Sequence, residues 1–129
     1  TNDLTPKELI FTRKLFKSLG EVEELSSDLM GIGGTLSGCG PAWIFMVIEA
    51  LADGAVYHGL PRDIAYKLAS QTVIGSGKMV LDTKQHPGKL KDDVCSPGGI
   101  TIRGVKALEE GGLRIAMMNA VDAAFKKPD

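Results

Sequence analysis

Groups suited to metal or covalent chemistry are scarce in this chain: its 129 residues include two cysteines, two histidines and one tryptophan, and only 5% are aromatic. Cys39 and Cys95 stand apart, with neither the CxxC pair nor the nearby histidine that zinc sites use, and read as reduced thiols. His58 falls at a predicted helix end and His86 before a proline, so neither is placed as the base of a nucleophile. No metal site is expected. A basic excess is also missing. With 15 Lys+Arg against 16 Asp+Glu the formal charge is −1, so charge alone supports neither a nucleic-acid partner nor an anionic membrane surface. The longest apolar run, Ala42 to Ile48, is too short to cross a bilayer and leads straight into Glu49 and Asp53, so no transmembrane helix is expected. The first residues, Thr-Asn-Asp-Leu-Thr-Pro, lack the basic-then-apolar pattern of a signal peptide, and a cytoplasmic location is the expectation.

At 43% apolar and 24% charged residues, the chain has the polarity of one compact domain. A chain of this length buries about 65% of its unfolded surface and needs no disulfide or metal to fold. A dinucleotide-binding βαβ domain joined to a substrate domain needs about twice this length.

Helix signals run along most of the sequence. Thr5-Pro6-Lys7-Glu8 has a hydroxyl N-cap, a proline at the first helical position and a glutamate that closes a capping box; Phe11, Leu15 and Leu19 then form a stripe ending at Gly20. Glu21 to Leu25 alternates and predicts a short edge strand, which would need a sheet that the rest of the chain does not supply. Ser26 to Leu36 predicts a short helix loosened by Gly31, Gly33 and Gly34. Ser37 to Gly40 predicts a break, with Pro41 opening a helix to about His58 that Gly59 closes. Ile44, Phe45, Val47, Ile48, Leu51, Ala52, Ala55 and Val56 make most of that helix's circumference apolar, as in a helix buried in a large core or against a partner.

Leu60-Pro61-Arg62-Asp63 starts a third long helix, with a proline at its first position, that runs to about Asp82–Lys84. A short helix from His86 to Val94, a turn at Cys95–Gly99 and a helix from Thr101 to Glu110 follow. Gly111-Gly112 breaks the pattern, and Leu113, Ala116, Met117, Ala120, Val121, Ala124 and Phe125 trace the stripe of the last helix. Ile115 and Met118 lie off that stripe and predict a second covered face. The expected fold is all-α.

Few segments can carry chemistry. Gly31-Ile32-Gly33-Gly34-Thr35-Leu36 fails the dinucleotide fingerprint at its sixth position, and Gly75-Ser76-Gly77-Lys78-Met79 lacks the first glycine and the hydroxyl of a phosphate loop. No cofactor-binding residue is expected here. Ser37-Gly38-Cys39-Gly40-Pro41 reads either as a nucleophile without a base or as a glycine hinge at a close helix crossing. Glu49 and Asp53 share a helix face at i, i+4 and read as solvated or capping carboxylates. Ser96-Pro97-Gly98-Gly99-Ile100-Thr101 is the most informative segment, a glycine-rich turn feeding a helix. Its unpaired N–H groups suit a carboxylate or phosphate; the alternative is a turn whose Ser or Thr merely caps its own helix.

Leu36 to Trp43, Glu49 to Gly54, Gly59 to Asp63, His86-Pro87-Gly88, Ser96 to Thr101 and Leu108 to Gly112 together resemble the C-terminal domain of pyrroline-5-carboxylate reductase, over about Ser26 to Lys127. Cys39 stands where that family usually has Ser, and Trp43 where it usually has Tyr. The resemblance implies a helical dimerisation domain of the 6-phosphogluconate-dehydrogenase-like C-terminal type at 26–129, with residues 1–25 as the last helix and edge strand of a Rossmann domain. It also implies a full-length enzyme that uses NADPH or NADH to reduce 1-pyrroline-5-carboxylate to L-proline and forms a homodimer or a larger assembly. In that scheme Ser96, Gly98, Gly99, Ile100 and Thr101 receive the substrate carboxylate, the Thr101 hydroxyl meets the ring nitrogen, and this chain alone is inactive. A stand-alone helical interaction module without catalysis is the competing expectation.

Overall fold

The computed structural model of the protein describes residues 4–125. Six helices follow one another among the described residues: α1 (Pro6–Lys17), α2 (Met30–Tyr57), α3 (Arg62–Thr83), α4 (Pro87–Asp93), α5 (Ile100–Glu110) and α6 (Leu113–Phe125). The described residues contain no strand, in agreement with the all-α expectation. The chain divides into two compact units, Thr1–Gly33 and Gly34–Asp129.

In the first unit, α1 starts as its sequence predicts. Thr5 accepts from the Glu8 amide and, through its own N–H and hydroxyl, donates to Glu8 Oε2 at 2.7 and 2.6 Å. These two hydrogen bonds hold the Glu8 carboxyl below its ordinary range. The strand expected at Glu21–Leu25 does not form. A strand needs a partner for its alternate N–H and C=O groups, and none exists among the described residues. Side chains hold this segment instead. Glu24 pairs with Arg13, and Leu25 lies so close to Gly33 that a Cβ there would collide with its side chain.

The largest departure from expectation is α2. The break predicted at Ser37–Gly40 is absent, and one 28-residue helix carries Pro41 in its interior. The cost is local, because Pro41 removes a single amide donor, at about 3 kcal/mol. A loop there would instead give up several consecutive helical hydrogen bonds and split one helix into two. Gly31, Gly33 and Gly34 are helical for the same reason. By length and composition alone, the joined helix is long and apolar enough to cross a membrane. The argument against a span from short apolar runs therefore no longer holds.

α2 ends where the sequence places its stop. Gly59 adopts φ +94°, its N–H donates to the Val56 carbonyl at 2.9 Å, and the Leu60 N–H reaches Ala55 at 3.1 Å, which is the two-bond glycine cap of a Schellman motif. Pro61 is the N-cap of α3 rather than its first residue, a one-position shift. α3 and α2 meet through Ala65 and Ala69 against Ala52, the buried residues of the core, with Ile48, Val56, Leu60 and Tyr66 packed around them. Arg62 joins the same corner: it donates to Asp53 at 2.6 Å and lies 5.7 Å from the Tyr66 ring centroid. Asp53, read from the sequence as a solvated or capping carboxylate, is exposed and is the ion-pair partner of Arg62.

α3 closes on Lys84, a non-glycine residue in the left-handed region at φ 56°. A Cβ there costs about 1 kcal/mol relative to glycine. Lys84→Gly is expected to stabilise the protein by about 0.5–1 kcal/mol, seen as a higher midpoint in thermal unfolding. His86 Nδ1 then caps α4 by accepting from the Gly88 N–H at 3.0 Å. α5 and α6 pack as a pair across Gly111-Gly112, where Gly112 takes φ +75°.

Candidate functional site

The Ser96–Thr101 segment is built around one peptide unit. The Gly99 N–H donates to the Ser96 carbonyl at 3.0 Å, closing a four-residue turn with Pro97 second and Gly98 third at φ +70°. That sequence suits a type II turn, in which the third residue needs the left-handed region and glycine meets the need without strain. Gly99 is the N-cap of α5 and is tightly enclosed: a Cβ there would stand 2.5 Å from Ser96 Oγ and 3.1 Å from the Ser96 carbonyl oxygen. The geometry demands both glycines, for different reasons.

No side chain caps α5. Neither Ser96 nor Thr101 therefore plays the bland role of satisfying its own helix. The amides of Ile100, Thr101 and Ile102 head the helix, where they have no intrahelical acceptor and carry the positive end of its dipole. Ser96, Gly98, Ile100 and Thr101 are exposed, while Gly99 is half-buried with its amide engaged in the turn. Ser96, Gly98, Gly99, Ile100 and Thr101 share one stretch, the turn and the first two residues of α5, an amide cradle flanked by two hydroxyls.

One residue of this cradle escaped the sequence reading. Arg103 donates from Nη2 to the Gly98 carbonyl at 3.2 Å. A signal for it existed, since a cation near the start of a helix opposes the macrodipole and calls for a local reason.

A second feature lies between α2 and α6. Leu36, Trp43, Ile44, Phe45, Met117, Met118 and Val121 line an apolar groove of about 630 Å³. Phe45 is 66% exposed and Met118 67%. Side chains of this size and chemistry are ordinarily buried. Ile115 is also exposed, in line with the second face predicted for the last helix.

The other motifs lie within helices or stand alone. Gly31–Leu36 and Gly75–Met79 lie within α2 and α3, with no strand–loop–helix around them, so these residues do not fit a nicotinamide dinucleotide. Cys39 and Cys95 are free thiols, and no group of His, Cys, Asp or Glu among the described residues is arranged to hold a metal.

Against known proteins, a family model described as pyrroline-5-carboxylate reductase dimerisation matches residues 27–129. Pyrroline-5-carboxylate reductase of Glycine max is 53% identical over 114 residues, covering 88% of this chain and 42% of that protein. The Escherichia coli protein of the same name is 46% identical over 126 residues, covering 98% and 47%. Among solved structures, pyrroline carboxylate reductase of Plasmodium falciparum with NADP bound superimposes with a TM-score of 0.83 at 37% identity, covering 97% of this chain and 48% of that one. The Coxiella burnetii pyrroline-5-carboxylate reductase gives 0.87 at 35% identity, covering 97% and 47%. The chain spans under half the length of each of these proteins.

Proposed function

We propose, since this chain belongs to the pyrroline-5-carboxylate reductase dimerisation family, that it is the dimerisation and substrate-binding part of a full-length pyrroline-5-carboxylate reductase. The observation that carries the proposal is the uncapped, glycine-lined start of α5. In the full-length protein NAD(P)H supplies the hydride that converts the cyclic imine to L-proline; neither glycine run of this chain forms the strand–loop–helix that a dinucleotide takes, so the dinucleotide loop is assigned to the other half of the protein. This chain's contribution is to hold the ring. The N–H groups of Ile100 and Thr101 receive the substrate carboxylate, the Gly98–Gly99 turn lets it approach the backbone, and Ser96 flanks it. The Thr101 hydroxyl meets the ring nitrogen. Catalysis of this kind is positioning and charge stabilisation, with no covalent intermediate on the protein.

The α2–α6 groove is read as the face that a second copy covers, giving a homodimer or a larger assembly. The exposed apolar side chains call for a cover, and the family's own description supports a second copy over a lipid environment for α2. The whole protein is read as a cytoplasmic enzyme acting on a small molecule. Residues 1–25 are assigned to the preceding nucleotide-binding domain. Phe11 and Leu15 on α1, and Leu19 just beyond it, stay exposed, as expected of a face made to lie on a sheet.

Two measurements test the proposal. The full-length protein should form proline from 1-pyrroline-5-carboxylate and NADPH, while residues 1–129 alone should show neither turnover nor saturable NADPH binding. Turnover by these residues alone contradicts the division of labour. A reading frame upstream of Thr1 with no βαβ unit carrying GxGxxG would favour the stand-alone helical module.

A further inference from the structure

Arg103 has an unexpected place for a cation. Counting from the N-cap Gly99, it is the fourth residue of α5, within the turn where the helix dipole is positive and disfavours a basic side chain. Long side chains on a helix lean toward its N-terminus, which carries the guanidinium back over the amides of the first turn. There it donates to the Gly98 carbonyl at 3.2 Å. That carbonyl belongs to the same peptide plane whose N–H, on Gly99, donates to the Ser96 carbonyl at 3.0 Å. The plane is therefore held at both ends.

The plane matters because both its neighbours are glycine. With no Cβ at Gly98 or Gly99, side-chain sterics do not bar this peptide from turning over; within the turn itself only the Gly99–Ser96 bond opposes a turn that would swing the Gly98 carbonyl oxygen toward an anion at the helix start. A hydrogen bond from Arg103 keeps the oxygen turned away, toward the guanidinium. A guanidinium has five N–H donors, and one bond to Gly98 leaves its positive charge beside the seat.

We propose that Arg103 is a positioning residue for carboxylate recognition: it locks the Gly98–Gly99 peptide so that the head of α5 presents only donors, and its charge adds to the helix dipole at that spot. The inference rests on the reading of the turn as the substrate carboxylate seat. It assigns Arg103 to binding and leaves the chemistry at the C=N bond to other groups. Arg103 is exposed, and its replacement removes no core packing.

The test uses the full-length protein and two substrates, 1-pyrroline-5-carboxylate and the carboxylate-free ring 1-pyrroline. Arg103→Gln is expected to raise KM for the first about 10-fold with kcat within about twofold, the size of one lost charge-assisted contact, and to leave kcat/KM for 1-pyrroline at its wild-type value. Arg103→Lys, which keeps the charge without the planar fork, is expected to recover about half of the loss on a logarithmic scale. Equal losses on both substrates, or no loss on either, would overturn the role of Arg103. A wild-type enzyme without preference for the carboxylated ring would overturn the reading of the turn as the seat, and the Arg103 proposal with it.

Discussion

Thr101→Ala in the full-length protein is expected to lower kcat/KM for 1-pyrroline-5-carboxylate about 10–100-fold, the cost of losing one hydrogen bond of about 1.5–3 kcal/mol to a charged or developing-charge group. The residue is exposed at the second position of α5, and no side chain caps that helix. Removing its hydroxyl thus leaves the backbone of the seat in place. The loss should appear in kcat as well as in KM, because a ring nitrogen gains charge or a proton as the imine is reduced, whereas the carboxylate does not change. Thr101→Ser, which keeps the oxygen, should stay within a few-fold of wild type. Unaltered kinetics for Thr101→Ala would remove Thr101 from the mechanism. A loss confined to KM would move it to the carboxylate side of the substrate.

Met118→Asp is expected to dissociate the assembly. Met118 lines the groove between α2 and α6 and is largely exposed, so a carboxylate there is solvated in an isolated chain and costs its fold little. If a second copy covers the groove, each protomer buries one unpaired charge against apolar side chains. At about 2 kcal/mol or more per desolvated polar group, two symmetric sites weaken the dimer by roughly a thousandfold or more. Sedimentation at micromolar concentration should then report the mass of one chain for Met118→Asp and of the assembly for wild type and Met118→Leu. An unchanged mass for Met118→Asp would show that this groove is not the contact between copies. Catalysis should fall with assembly only where the partner helps to order the seat, so parallel kinetics on the same samples separate the two effects.

Local signals were the most legible. The capping box at Thr5–Glu8, the glycine stop at Gly59 and the turn from Ser96 to Gly99 each depend on a few adjacent residues whose chemistry has one dominant outcome, and each formed as read. The two misreadings share a cause of the opposite kind. Glu21–Leu25 has the alternation of a strand, but pairing is a property of two segments, and no second one is among the described residues. Ser37–Pro41 has the composition of a break. Whether a proline ends a helix or sits inside it depends on what surrounds the flanking backbone, and here the long apolar helix continued.

The sequence by itself determined the helical class, the positions of most helix ends, the family and the five residues of the candidate seat. The helices and their ends rest on hydrophobic period, caps and left-handed glycines, whose physics acts within a few residues of chain, whereas the family and the candidate seat rest on resemblance of motifs. Tertiary structure decided the rest. It joined two expected pieces into α2, paired Asp53 with Arg62, opened a groove between residues more than 70 positions apart, and brought Arg103 onto Gly98. Each of these is an arrangement in space between groups whose separation along the chain, or whose side-chain direction, no local rule specifies.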